Sequence, residues 1–164
     1  MARPKLLSAQ QVAEYFIWKA QVDGKPITNK KLQKLIYYAQ AWFVALKKEK
    51  LFDEKIEAWI HGPAVREIYL EYKRFGFEPI TKKIDGGTFN SISSDKIEHM
   101  ENVWNVYGAY DGQYLEYLTH SEDPWKKARV GIEAHIGTDK EISIKDMFDF
   151  YSKLKLSADN VRHR

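Results

Sequence analysis

The chain contains five histidines, His61, His99, His120, His135 and His163, and these are the first residues to weigh for chemistry. Imidazole is the side chain that exchanges protons near neutral pH. Two of the five have suggestive neighbours. His61 directly precedes Gly62-Pro63, and His120 lies in Thr119-His120-Ser121-Glu122-Asp123, beside a hydroxyl and two carboxylates. Such adjacency argues against a catalytic triad, whose members come from separate segments that converge in space. The run reads instead as a helix start, with Ser121 and Asp123 accepting backbone N–H bonds and Pro124 opening the turn. No two histidines stand four residues apart, and no HExxH arrangement occurs. The absence of cysteine removes thiol nucleophiles, thiolate metal sites and disulfides. G-x-S-x-G, G-x-x-x-x-G-K-[ST] and G-x-G-x-x-G are also missing. No catalytic residue, cofactor or metal is therefore expected, and the protein is not expected to be an enzyme. An enzyme built around His61 or His120 is the contrary reading, which alanine at either position would test.

The elements that would position these residues are mostly helical. Ser8 and Gln11 form a capping box for a first helix over roughly 9–21. Thr28 caps the strongest helix, in which Leu32, Leu35, Ile36, Ala39, Trp42, Phe43 and Leu46 follow helical spacing. Tyr37, Tyr38 and Val44 widen that stripe, so this helix should be central. Residues 56–60 alternate like a short strand, and Gly62 and Pro63 read as a helix start, with Gly76 as the cap at its far end. Residues 77–94 carry Gly-Gly, a proline and β-branched side chains, and read as a long loop with a short hairpin. Further helices are expected from about Asp95 to Tyr107, after Asp111, after Asp123, where Pro124 takes the first helical position, and after Ser143. The fold class is mainly α: six to seven helices with a little β, in a single domain over 9–156. A short lead over 1–8 precedes it, and a frayed tail over 157–164 follows. No apolar run approaches the roughly 20 residues of a membrane span, and MARPKLLSAQQ lacks the core of a secretory signal. A cytoplasmic location is expected.

Charge is unevenly spread. Between Lys25 and Lys50 stand seven lysines and one acid; between Ile97 and Pro124 stand six acids and no lysine or arginine. Either the two stretches pair within the molecule or they orient a charged protein partner. A DNA-binding regulator is the alternative, with a helix-turn-helix whose second helix begins near Asn29 and carries Lys30, Lys31 and Lys34. Against it, that helix turns apolar after about one turn, where a recognition helix needs an exposed polar face over several.

Four stretches, VAEYFIWKA, ITNKKLQKLIYYAQAWFVAL, LFDEKIEAWIHGPAVREIYLEYKRFG and LTHSEDPWKKAR, in this order and spacing, resemble the Panacea domain of bacterial, phage-associated antitoxins (SocA-like and GepA-like). The resemblance runs from about Ala9 to Tyr151. Leu32, Lys34, Leu35, Tyr37 and Tyr38 fall on the family's lysine-and-tyrosine helix. Phe52, Ala58, Trp59, Gly62, Pro63 and Tyr69 fall on its LF…AW…GP…Y segment, and His120, Pro124 and Trp125 on its H…PW segment. Ala64-Val65 departs from the usual Gly-Pro-Val. The resemblance implies an antitoxin that neutralises an adjacently encoded protein toxin by direct binding. In the SocA branch it implies an adaptor handing the toxin to a bacterial protease complex. The N-terminal DNA-binding domain of some members is expected to be absent, since only about eight residues precede the first helix. Lys30, Lys34, Tyr38, His61, His120 and Trp125 are the expected partner-binding residues.

Overall fold

The widened stripe of the second helix dictates the architecture. In a computed structural model that describes residues 5–162, the helix α2 (Asn29–Lys47) is enclosed on every side. All of its residues from Asn29 to Val44 are buried except Lys30. Around it pack α1 (Ala9–Val22), α3 (Arg66–Tyr72), α4 (Ser94–Tyr107), α5 (Gly112–His120) and α7 (Ile144–Tyr151). The short helix α6 (Asp123–Ala128) bridges α5 to α7, and α8 (Ala158–Arg162) leans on α4. One apolar core runs from Leu7 to Val161. The protein is mainly α, as expected, with eight α-helices among the described residues.

Caps that act locally form where the residue types place them. Ser8 and Gln11 make both bonds of the capping box, and Thr28, Asp111 and Ser143 each accept the backbone N–H three residues on. Gln40, buried within α2, accepts from the N–H groups of Leu51 and Phe52 and donates to the Phe52 carbonyl, which fixes the chain where it leaves that helix.

Four expectations need correction. Gly62 and Pro63 do not start a helix. They belong to strand β2 (Gly62–Ala64), which pairs antiparallel with β1 (Glu57–Trp59) across the tight turn at Ile60-His61. The helix α3 begins only at Arg66. Pro63 lies opposite Ala58 at the margin of a two-stranded ribbon, a position that tolerates its missing N–H. The hairpin expected in 77–94 is absent: among the described residues this stretch holds no strand, only a 3-10 turn, Gly86–Phe89, capped by Asp85. Its Phe89 ring packs against Tyr15 and Trp18 of α1, and Gln21 donates to the Lys82 carbonyl, so α1 takes the place of a partner strand. Pro124 stands at the second helical position of α6, because Glu122 is the N-cap residue; Ser121 donates its hydroxyl to the Leu118 carbonyl. Finally, part of the tail expected to fray forms α8, with Val161 fully buried.

Candidate functional site

The first turns of α2 carry an unusual set of buried polar side chains, and each is held by a backbone group some thirty to forty residues away. Asn29 donates to the Tyr69 carbonyl at 3.1 Å and accepts from Gln33 at 3.0 Å. Gln33 in turn accepts from the Val65 N–H at 2.9 Å. Lys34 Nζ donates to the Pro63 carbonyl at 3.1 Å. Three side chains on one helix face therefore fix the ribbon and the start of α3 against α2. Gly62 makes this approach possible. It adopts φ +106°, and a Cβ there would lie 2.5 Å from Lys34 Cε and 3.1 Å from Thr119 Oγ1.

Lys34 is only 2% exposed. Burial pushes its amine down to about 7; Glu116 pulls it back up and Lys30 lowers it further. Glu116, on α5, gathers the surrounding charges. It pairs with Lys30 at 2.6 Å and with His61 Nδ1 at 3.2 Å. Its burial favours the neutral acid, but hydrogen bonds and charge from Lys30 and His61 outweigh that, so its carboxyl sits below the ordinary range. The opposed charge stretches thus meet inside the molecule. Lys31 is spent likewise: it donates to the Gly108 carbonyl and lies over the Trp104 ring.

Beside these residues an open groove of about 850 Å³ runs between the start of α2, the β1–β2 turn and α3. Lys30 and Lys34 line its α2 side, and Trp59 and Tyr69, packed edge to face at 5.0 Å, line the facing side. Arg66 lies over the Trp59 ring and forms an ion pair with Glu57 at 2.7 Å. Lys73, Phe77 and Asp139 complete the rim. Gly76, at φ +59°, turns the chain just before Phe77, which is 95% exposed.

Lys30, Lys34 and His61 therefore come together at one groove, whereas three other expected partner-binding residues do not reach it. Tyr38 is completely buried. It stacks on Tyr107 with ring centroids 3.9 Å apart and donates to Glu122 Oε1 at 2.8 Å. Tyr151 donates to the same oxygen at 2.8 Å. Burial and the Glu122 charge hold both phenols well above their ordinary range. Tyr38 is thus part of an internal cluster, away from the groove. His120 stacks on Trp125 at 3.9 Å, and Trp125 donates to the Trp59 carbonyl at 2.8 Å. Arg129, one turn on, donates to the carbonyls of Ala58, Glu133 and Ile136. The H…PW segment is therefore a clasp over the back of the ribbon. Burial lowers the His120 imidazole, so it is neutral at pH 7.

The groove residues missed from the sequence were Arg66, Tyr69, Lys73 and Phe77, together with Glu116 and Gln33 beneath. Arg66, Tyr69 and Lys73 stand at i, i+3 and i+7, one helical face on which Tyr69 reads as part of the apolar stripe and the two basic residues as its solvated margin. As for chemistry, Ser121 points to the Leu118 carbonyl, so the 119–123 run forms no triad. Among the described residues no three His, Asp or Glu side chains converge as metal ligands; His163 lies outside them. The helix-turn-helix alternative is also corrected. A recognition helix must lie exposed in a groove of DNA, and α2 is buried from Asn29 to Val44 apart from Lys30, with Lys31 and Lys34 bonded to carbonyls. No described helix is long and apolar enough to cross a membrane.

Comparison with known proteins agrees with the motifs. The family described as "Antitoxin SocA-like, Panacea domain" matches residues 32–126, from the interior of α2 through the clasp. The chain is also similar to Antitoxin SocA of Caulobacter vibrioides (strain NA1000 / CB15N). The two are 30% identical over 160 residues, covering 90% of this chain and 85% of that protein. No solved structure matches. With more than half of the chain matched, and the ribbon, the H…PW segment and most of the central helix inside the matched segment, the protein belongs to the SocA-like antitoxin family of the Panacea domain.

Proposed function

We propose that this protein is a cytoplasmic antitoxin that neutralises a protein toxin by binding it directly, without catalysis of its own. The observation that carries this reading is the match along nine-tenths of the chain to a protein that is itself an antitoxin. The geometry supports it in two ways. The side chains with chemical potential are committed to structural bonds: Lys34 to a carbonyl, His120 to a ring stack and Glu122 to two phenols. The groove meanwhile presents aromatic and basic residues, the types that dominate binding energy at protein interfaces.

The test is co-expression with the products of the adjacent genes. One of them should arrest growth alone, be tolerated together with this protein, and co-elute with it on gel filtration. If each neighbour is harmless, or if rescue occurs with no complex formed, direct neutralisation is wrong. Delivery to a protease, which the SocA resemblance implies, is separated by the same experiment in cells lacking the protease: the complex would persist and the rescue would fail.

A further inference from the structure

We infer that the groove between α2, the ribbon turn and α3 is the toxin-binding site, and that its occupant is a segment of the toxin carrying a carboxylate and a neighbouring aromatic or aliphatic side chain. This rests on the antitoxin reading. Three observations specify the occupant.

The first is charge. Lys30, Lys34, His61, Arg66 and Lys73 line the groove against the single carboxylate of Asp139. Lys30 and Arg66 are already matched by Glu116 and Glu57, but Lys73 makes no ion pair among the described residues. Lys34 also lines the groove, but its amine is buried and held by the Pro63 carbonyl, so Lys73 is the cation at the rim left for a partner. A carboxylate is the group that satisfies Lys73, and a segment without one would leave the open basic rim uncompensated.

The second is apolar surface. Trp59 and Tyr69 line the groove, while Phe77 stands almost wholly in water at its rim. A phenyl ring fully exposed beside an aromatic-lined groove gains most of its burial only when a partner covers it. Trp, Tyr and Arg together are the composition of an interface hot spot.

The third is shape. The groove is partly open to solvent. An open trough fits a chain segment, whereas a pocket for a small molecule buries most of its guest. The groove also ends on the β1–β2 turn, whose Ile60 and His61 line it.

Phe77→Asp and Lys73→Glu test the inference, because both side chains lie at the surface and neither makes a bond that the fold uses. Leu46→Asp is the control: an equally apolar side chain, 54% exposed, at the opposite end of α2. The probe is the purified adjacent-gene product that the wild-type protein rescues, with affinity measured by titration calorimetry at two salt concentrations. Phe77→Asp should weaken binding about 30-fold or more, and Lys73→Glu about tenfold with a reduced salt dependence, while Leu46→Asp stays within about twofold. Circular dichroism should show all three folded as the wild type. Wild-type binding with undiminished affinity in Phe77→Asp and Lys73→Glu overturns the groove and leaves the antitoxin reading standing. Loss confined to Phe77→Asp overturns the acidic occupant. No binding by the wild-type protein overturns both readings together.

Discussion

Lys34→Met separates the energetic role of the buried lysine from its place in the fold. Methionine keeps nearly the same length and volume, so the passage beside Gly62 stays filled. What changes is the amine, which the wild-type protein holds buried with its affinity for a proton lowered from 10.5 to about 7. At pH 6 the amine is charged in both folded and unfolded chains, and burying that charge costs about 5 kcal/mol. The variant escapes this cost but leaves the Pro63 carbonyl without its donor, a loss of about 1–3 kcal/mol. Lys34→Met should therefore be the more stable protein at pH 6, by about 3 kcal/mol. The sign then reverses. Between pH 7 and 10.5 the unfolded wild-type chain binds a proton at this site that the folded chain does not, so wild-type stability rises with pH. The variant's advantage should shrink by about 1.4 kcal/mol per pH unit above pH 7 and vanish near about pH 9. Other groups do not imitate this. Lys31, pushed down to about 8 by burial, titrates in both proteins and drops from the difference. Of the groups facing Lys34, Glu116 is ionised throughout, because its carboxyl lies below the ordinary range, and burial lowers the His120 imidazole, away from the range in which the Lys34 difference develops. The assay is urea unfolding of both proteins at half-unit steps from pH 6 to 9.5. Two stability curves that run parallel over that range would refute the argument.

Three further perturbations have defined outcomes. Gly62→Ala should destabilise by about 3 kcal/mol in thermal or chemical denaturation, since it forces a side chain to φ +106° and against Lys34 Cε; a neutral result would show that the lysine can step aside. Glu122→Ala removes one oxygen that serves two buried phenols and should lose about 3 kcal/mol, read by guanidinium unfolding. Arg129→Met cuts three hydrogen bonds to carbonyls, so amide exchange over 130–139 should accelerate while that of α2 is unchanged. Equal exchange in the two proteins would mean that the clasp does not hold this loop.

What the sequence revealed and what it concealed follow from the range of the interactions involved. Ser8, Thr28, Asp111 and Ser143 cap helices through bonds to residues three positions on, so their types alone place them. The enclosure of α2 is legible because apolar residues wrap around it beyond one face. Gly62-Pro63 is ambiguous by nature: a proline suits a first helical turn and the margin of a ribbon equally, and only the pairing of Ala58 with Pro63 decides. Asn29, Gln33 and Lys34 look like the solvated start of a helix. Their partners are the backbone groups of Tyr69, Val65 and Pro63, which share no pattern with them that spacing could disclose. Tyr38 reads both as part of the apolar stripe and as a partner-binding candidate, and spacing does not decide between them, since its acceptor, Glu122, stands 84 residues away.

The enclosure of α2 has a consequence for how this protein can change. Its neighbours are arranged as spokes about a hub: α1, α3, α4, α5 and α7 each lean on α2, and most of them touch one another less. Substitutions on the outer faces of different spokes are separated by the hub and share few partners, so their effects on stability should add. The outer faces of α3 and of the segment around Phe77 can then be rewritten for a new partner without retuning the far side of the molecule, whereas a change within α2 is felt by every spoke at once.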